Sequence, residues 1–275
     1  MAGEVILVTG AGGGLGGAMA QALAGAGHTV AAADVDKGRL DALAAKCAGA
    51  AGKIMPFQVD LGDKAAAKGL VQRVVAECGD LFMLVNNAGV GQQVVDPDYS
   101  GASKPFWETD IDDWEKLIHV NTRAPLILTQ QAVKHFMGKG RGRVINVTTS
   151  FNTMIMPGVW AYGQSKAALE AATASLSGLL AGTPVTMNIL VPGGPANTAL
   201  LPDNTGMDRA KIIQPPVMGP PIVFLASPEA ADFNGKRFIA LMWDSSLPGK
   251  QAAEKASAPA AWPGFGVQSA APKPA

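Results

Sequence analysis

Short apolar runs alternate along this chain with Ala- and Leu-rich stretches whose apolar positions recur at helical spacing. The β-branched and apolar runs at 4–8, 29–33, 54–59, 81–85, 143–147, 185–190 and 237–242 predict strands, the last of them closing the fold. The stretches at 17–26, 37–47, 64–78, 114–137, 161–180 and 222–226 predict helices. Strictly alternating strands and helices imply right-handed crossovers, hence an α/β fold: a doubly wound parallel sheet with helices on both faces, in three layers. Two segments resist assignment. Residues 92–113 carry Asp96, Pro97, Asp98, Gly101 and Pro105, which break regular structure, and residues 199–216 read as a lid over a ligand. Pro125 lies inside the predicted 114–137 helix and should bend it, which could free a backbone carbonyl near Asn121.

The first strand runs into Thr9-Gly10-Ala11-Gly12-Gly13-Gly14-Leu15-Gly16 and then a helix. Strand, glycine turn and helix together cradle a pyrophosphate, because glycine lets the backbone approach and the helix N-terminus offers free N–H groups. The sheet is therefore expected to be of the Rossmann, dinucleotide-binding type. Asp34 ends the second strand, where an acid accepts hydrogen bonds from ribose hydroxyls and repels a 2′-phosphate. That favours NAD over NADP, although Lys37 and Arg39 lie close by. Asp34 could alternatively cap the helix at 37–47.

Tyr162 and Lys166 are four apart at the start of a predicted helix and share a face. An ammonium beside a phenol favours the phenolate, and a Tyr poised nearer neutral pH can exchange a proton with an alcohol or ketone oxygen. On its own such a pair reads more readily as an ordinary Tyr with a solvated Lys one turn on, because Y-x-x-x-K is common by chance. Thr148-Thr149-Ser150 puts hydroxyls where the preceding strand should end.

Length and composition narrow the classes. The 275 residues suffice for one large domain, taken as 1–248, followed by an Ala/Pro-rich tail over 249–275 that is expected to be disordered or laid on a neighbouring subunit through Trp262 and Phe265. Charged residues make up 16%, below the roughly 25% of an average domain, so part of the surface should be covered by packing or partner subunits. A formal net charge of zero argues against nucleic acid or an anionic membrane as partner. No signal-peptide pattern or long apolar run is visible, Cys47 and Cys78 stand apart, and His119 and His135 lack partners at ligand spacing. A cytoplasmic protein without disulfide or metal is expected.

Taken together these motifs resemble the short-chain dehydrogenase/reductase family, over residues 4–245. Its cofactor motif T-G-x-x-x-G-x-G matches Thr9, Gly10, Gly14 and Gly16. Its adenine-side acid matches Asp60, next to Leu61, and its sheet-stabilising N-N-A-G matches Asn86, Asn87, Ala88 and Gly89. Its catalytic Asn matches Asn121, its Y-x-x-x-K matches Tyr162 and Lys166, and its P-G matches Pro192-Gly193. The family's usual Ser 13 residues before the Tyr is Thr149 here, with Ser150 as the alternative if the loop register slips. Asn197 stands where the family commonly has the Thr that holds the nicotinamide carboxamide, with Thr198 next to it. The V-D-G-G ending is replaced by 239–244.

The resemblance implies a hydride transfer between NAD(H) and a secondary alcohol or ketone. Tyr162 would be the general acid/base, Lys166 would lower its pKa and bind the nicotinamide ribose, Thr149 would hold the substrate oxygen, and Asn121 would keep a water-linked proton path to Lys166. A homotetramer or homodimer through the helices at 114–137 and 161–180 is also implied. The pocket would draw on Gly91, Gln93, Asn152, Met154, Trp160, Gly194 and Met207, and its apolar content suggests a mainly apolar substrate. Two other readings compete: an NADPH-dependent ketone reductase of 3-oxoacyl type, and a catalytically silent nucleotide-binding regulator on the same fold.

Overall fold

A computed structural model of the protein describes residues 3–100 and 104–262. The elements run β1 (Val5–Thr9), α1 (Gly14–Gly25), β2 (Thr29–Asp34), α2 (Lys37–Lys46), β3 (Lys53–Gln58), α3 (Lys64–Cys78), β4 (Met83–Asn86) and α4 (Ile111–Ile118). They continue with α5 (Ala124–Lys139), β5 (Gly142–Val147), α6 (Phe151–Met154), α7 (Trp160–Leu179), β6 (Val185–Val191), α8 (Gly219–Ala226), β7 (Lys236–Ile239), α9 (Gly249–Lys255) and β8 (Ser257–Pro259).

The strands form one sheet in the order β3-β2-β1-β4-β5-β6-β7-β8. All neighbours are parallel except β7 and β8, which are antiparallel. Successive strand residues face opposite sides, so β1 sends Ile6 and Val8 into one core and Leu7 into the other. The first core packs Met19 and Leu23 of α1 and Ile222 and Leu225 of α8 against the sheet. The second packs Leu70 and Val74 of α3 and Leu128 and Phe136 of α5 on the other face. This is the expected three-layer Rossmann-type fold. The strand order reverses between β1 and β4, which opens a crevice at their carboxyl ends, where doubly wound sheets bind ligands.

Three expectations change. The predicted 114–137 helix is two helices, α4 and α5, joined by a π-turn over His119–Arg123 that carries Asn121. Pro125 follows directly on this π-turn, with helical backbone on both sides, at the point where the ladder departs from α geometry. The strand predicted over 237–242 ends at Ile239 and gives way to a 3₁₀ turn at Ala240–Met242. The segment from 249 is no free tail as far as residue 262: α9 buries Ala252 and Ala253, and β8 adds an eighth strand to the chain's own sheet. Pro259 is tolerated because β8 is an edge strand. Phe265 lies outside the described residues, as does the rest of the tail beyond 262. Among the described residues, no helix is long and apolar enough to cross a membrane.

Candidate active site

The glycine turn is locked to the fourth strand. Thr9 Oγ1 accepts the Asn87 and Ala88 amides, both at 3.0 Å, and Asn87 Nδ2 donates to the Thr9 carbonyl at 2.9 Å. Gly10 is left-handed (φ 65°) and so close to Ala88 Cα that a Cβ would sit 2.8 Å from it. A Cβ on Gly16 would fall 2.1 Å from the Gly10 carbonyl oxygen. Gly13 caps α1 without any side-chain bond to the helix, so no side chain fills the first turn. This is a cradle that a pyrophosphate fits, with Gly14, Leu15 and Gly16 at its base.

Around the cradle, Asp34 Oδ2 accepts the Gly12 amide at 2.9 Å. Asp34 is not the cap of α2; Asp36 is, accepting the Arg39 amide at 3.0 Å. Lys37 pairs with Asp41 and turns away from Asp34, while Arg39 pairs with Asp36 and packs its Cβ over Gly12. A cavity of about 270 Å³ beside the turn is lined by Gly12, Gly13, Gln21, Arg39 and Lys46. Asp60 closes a turn onto the Gly62 amide at 2.8 Å, just before the buried Leu61.

Thr198, not Asn197, faces the cradle: a Cβ on Gly14 would lie 2.8 Å from Thr198 Cγ2. The Asn197 side chain is turned into the 199–216 segment, where it binds Gln214 and Arg209. Arg209 also donates to the Thr198 carbonyl and to Asp203, tying the 198–209 segment together. Pro192 and Gly193 (φ 109°) turn the chain out of β6 under Leu241, whose amide donates to the Pro192 carbonyl at 3.1 Å.

Thr149, Tyr162, Lys166 and Asn121 converge beside this cradle. The Thr149 hydroxyl lies near enough to the Tyr162 phenol to favour its phenolate. Ser150 instead caps α6, accepting the Thr153 amide, so it does not replace Thr149. Lys166 Nζ donates to the Val147 carbonyl at 3.0 Å and lies 5.9 Å from the Tyr162 ring centre. Asn121 is fully buried; its Nδ2 donates to the Val90 carbonyl and to Ser165 Oγ, and its Oδ1 accepts the Val90 amide. The π-turn is what points Asn121 inward here, as such turns often do at functional sites. Gly89 gives room for both groups: a Cβ there would lie 3.2 Å from Asn121 Oδ1 and 3.4 Å from Lys166 Nζ.

The electrostatics differ from expectation. Burial pushes the Tyr162 phenol up to about 12, outweighing the nearby Thr149 hydroxyl, which favours the phenolate. Burial pushes the Lys166 ammonium down to about 8, and no carboxylate offsets it. Desolvation, not the neighbouring ammonium, therefore sets the phenol in this structure, and Lys166 is the group nearest neutrality.

The expected pocket residues are only partly brought together. Gln93 folds over Gly91 and donates to the Leu200 carbonyl at 2.8 Å, which links the two irregular segments over the site. A Cβ on Gly194 would touch Ile213 of the 199–216 segment. Trp160 packs edge-on against Phe106, a ring otherwise 64% exposed, so Phe106 both fastens its loop and leaves an apolar face open. Met154 is 4% exposed and belongs to the body, while Asn152 and Met207 are exposed. Ser165, Glu170, Arg209 and Arg237 were not among the expected site residues. Ser165 could have been found, since it lies one helical turn from Tyr162. The others act across chain separations that no motif spacing records. Among the described residues, no cluster of His, Cys, Asp and Glu could hold a metal ion.

Comparison with known proteins agrees with this geometry. Residues 4–207 match the short chain dehydrogenase family model. The chain is 30% identical over 242 residues to the 3-oxoacyl-[acyl-carrier-protein] reductase of Thermotoga maritima, covering 85% of this chain and 94% of that protein. A metagenomic short-chain oxidoreductase in complex with NADP superposes with a TM-score of 0.71 at 27% identity, covering 85% of this chain and 94% of the other. A 3-ketoacyl-(acyl-carrier-protein) reductase from Brucella melitensis, complexed with NADH, has the same fold at a TM-score of 0.72, 24% identity and coverage of 85% and 94%. With the matched family model spanning the glycine cradle, Asn121, Thr149, Tyr162 and Lys166, the chain belongs to the short-chain dehydrogenase/reductase family of oxidoreductases.

Proposed function

We propose that the protein is an NAD-dependent dehydrogenase of a mainly apolar secondary alcohol, or reductase of the matching ketone. The observation that carries this is the convergence of Tyr162, Lys166 and Asn121, with Lys166 Nζ 5.9 Å from the Tyr162 ring centre and Asn121 and Lys166 both against Gly89, and with the Thr149 hydroxyl near the phenol. A substrate oxygen placed between the two hydroxyls would accept one hydrogen bond from each. Tyr162 then exchanges the proton of that oxygen, and Thr149 steadies the charge that develops on it. Asn121 holds the Val90 peptide and Ser165, and through them the start of α7. A bound nicotinamide supplies the hydride chemistry. The cofactor residues are Gly10, Gly14, Leu15, Gly16, Asp34, Asp60, Leu61, Asn87, Ala88, Gly89, Pro192, Gly193 and Thr198, together with Tyr162 and Lys166.

Asp34 beside Gly12, with Lys37 and Arg39 each paired to an acid, supports NAD as the cofactor. A second reading, an NADPH-dependent reductase of 3-oxoacyl type, is favoured by Arg39 and Lys46 lining the cavity beside the cradle. The relative from Thermotoga maritima is a 3-oxoacyl-[acyl-carrier-protein] reductase by name. Assembly as a homodimer or homotetramer, in the cytoplasm, completes the proposal. The exposed apolar side chains Phe106, Trp107 and Ile111 fit a covered surface.

The test is turnover followed at 340 nm. The oxidation panel is cyclohexanol, 2-octanol and a 3β-hydroxysteroid with NAD. The reverse panel is 2-octanone and ethyl acetoacetate with NADH or NADPH. NAD-linked oxidation of an apolar alcohol is expected. Reduction of ethyl acetoacetate with NADPH alone would establish the second reading, and no turnover with any pair would favour a silent nucleotide binder.

A further inference from the structure

Behind Thr149 lies an ion pair that is withdrawn from water and touches no part of the cofactor cradle. Arg237 of β7 is 5% exposed and Glu170 of α7 is fully buried. Arg237 Nη1 donates to Glu170 Oε2 at 2.6 Å, and Nη2 donates to the Thr149 carbonyl at 2.6 Å. Thr148 Oγ1 donates to the same Glu170 oxygen at 2.7 Å. The other carboxylate oxygen accepts the Ala261 amide at 3.1 Å, where the chain is left-handed (φ 61°). The guanidinium lies 4.3 Å over the Phe151 ring, which in turn meets Trp262.

We propose that Arg237, held by Glu170, is a positioning residue for the reaction: it fixes the Thr149 backbone and so aims the Thr149 hydroxyl at Tyr162. The inference rests on the reading of Thr149 and Tyr162 as the pair that shares a substrate oxygen. Three observations support it. Glu170 is eight residues from Tyr162 and four from Lys166, so all three lie along one side of α7, and the ion pair joins that helix to the loop carrying Thr149. The contacts need a planar fork: one nitrogen for the carboxylate and the other for the carbonyl, which a Lys ammonium could not serve in the same geometry. Stability alone gives little reason for the pair, since well-packed apolar residues commonly replace a buried ion pair without loss. Its distinctive consequence is orientation, and a misplacement of about 1 Å at a reacting group can cost about 10²-fold in rate.

The experiment is a double-mutant cycle on the full chain, using NAD with 2-octanol, or with whichever panel alcohol turns over fastest. Arg237→Lys is expected to fold, to bind NADH within about twofold of the parent, and to lower kcat by about 10- to 100-fold with little change in KM. In a Thr149→Val background the same change should cost less than about threefold, because its effect runs through Thr149. The apolar pair Glu170→Leu with Arg237→Met guards against a folding artefact: it should regain thermal stability while kcat stays low. Multiplying effects of Arg237→Lys and Thr149→Val, or parent-like turnover in the apolar double variant, would overturn the positioning role. Tyr162→Phe run alongside separates the two levels. If it stays fully active, the reading of the site fails. If it is inactive while the cycle is multiplicative, only the role of Arg237 fails.

Discussion

Asp34 Oδ2 accepts the Gly12 amide at 2.9 Å, while its Oδ1 accepts the Asp36 amide at 3.0 Å. The carboxylate is thereby pinned at the edge of the glycine cradle, where a ribose would lie and where a 2′-phosphate would meet its charge. NADH should therefore bind at least about tenfold tighter than NADPH, the range expected for charge-assisted hydrogen bonds of roughly 1.5–3 kcal/mol. Asp34→Ser should narrow or reverse that ratio. Parallel fluorescence titrations of both nucleotides check it, and equal affinities in the parent would mean that Arg39 and Lys46 decide cofactor choice.

Lys166 gives a pH-dependence with a definite sign. Its folded pKa, about 8, lies below the ordinary 10.5. Below pH 8 both folded and unfolded states carry the charge, and burying it is fully destabilising. Between pH 8 and 10.5 the unfolded state binds more protons, so stability rises with pH, by up to roughly 3 kcal/mol across the window. Lys166→Met should lack this rise. Urea denaturation of both proteins at pH 7.5, 9 and 10.5 measures it; parallel curves would show that Lys166 is solvated.

Asn86 anchors a buried polar chain through the middle of the sheet. Its Nδ2 donates to Asn146 Oδ1 at 2.8 Å and to Thr129 Oγ1 at 3.1 Å, and Asn146 Nδ2 donates to Thr173 Oγ1 at 2.8 Å. Asn86→Ala strands these partners without water and should destabilise by about 2–4 kcal/mol. Denaturant midpoints check this, with NADH affinity measured on the folded fraction expected to change little.

Much of this was legible from the sequence because it is local. The glycine turn, the acid ending β2, the N-N-A-G segment and the Tyr162–Lys166 spacing each sit within one element, and their order along the chain specifies a crevice at the β1–β4 reversal. What was illegible depends on pairing across the fold. Glu170 and Arg237 are 67 residues apart and meet only because α7 packs over β5 and β6, the latter next to β7 in the sheet. Residues 249–262 looked like a tail because Pro breaks regular elements and the stretch holds no large apolar residue before Trp262; packing of Ala252 and Ala253 and the free edge of β7 supply the order instead. Motif position points to Asn197, but its side chain binds Gln214 and Arg209 while Thr198 lies against Gly14, contacts that no local motif records. The Tyr162 phenol was expected to be lowered by Lys166, and burial overrides that, an effect that spacing does not record.

Gly163 explains why the residue after Tyr162 is small. A Cβ there would lie 2.6 Å from the Thr153 carbonyl oxygen and 2.8 Å from that of Met154, so α6 rests directly on the start of α7. Gly163→Ala should push α6 away and cost about 1–3 kcal/mol as an overpacked contact. It should also raise KM for apolar alcohols more than it lowers NADH affinity. Thermal unfolding and steady-state kinetics test the two parts, and an unchanged melting temperature would mean that α6 yields freely.

The role of Tyr162 is tested most directly by removing its hydroxyl alone. Tyr162→Phe keeps the ring, the fold and the cofactor cradle, and takes away the group that exchanges the proton. Turnover of the panel alcohol should fall by at least about 10²- to 10⁴-fold, the range for a positioned acid/base, with NADH affinity within about twofold of the parent. Parent-like turnover in this variant would contradict the account, because no other residue assigned here could then be the proton-transfer group.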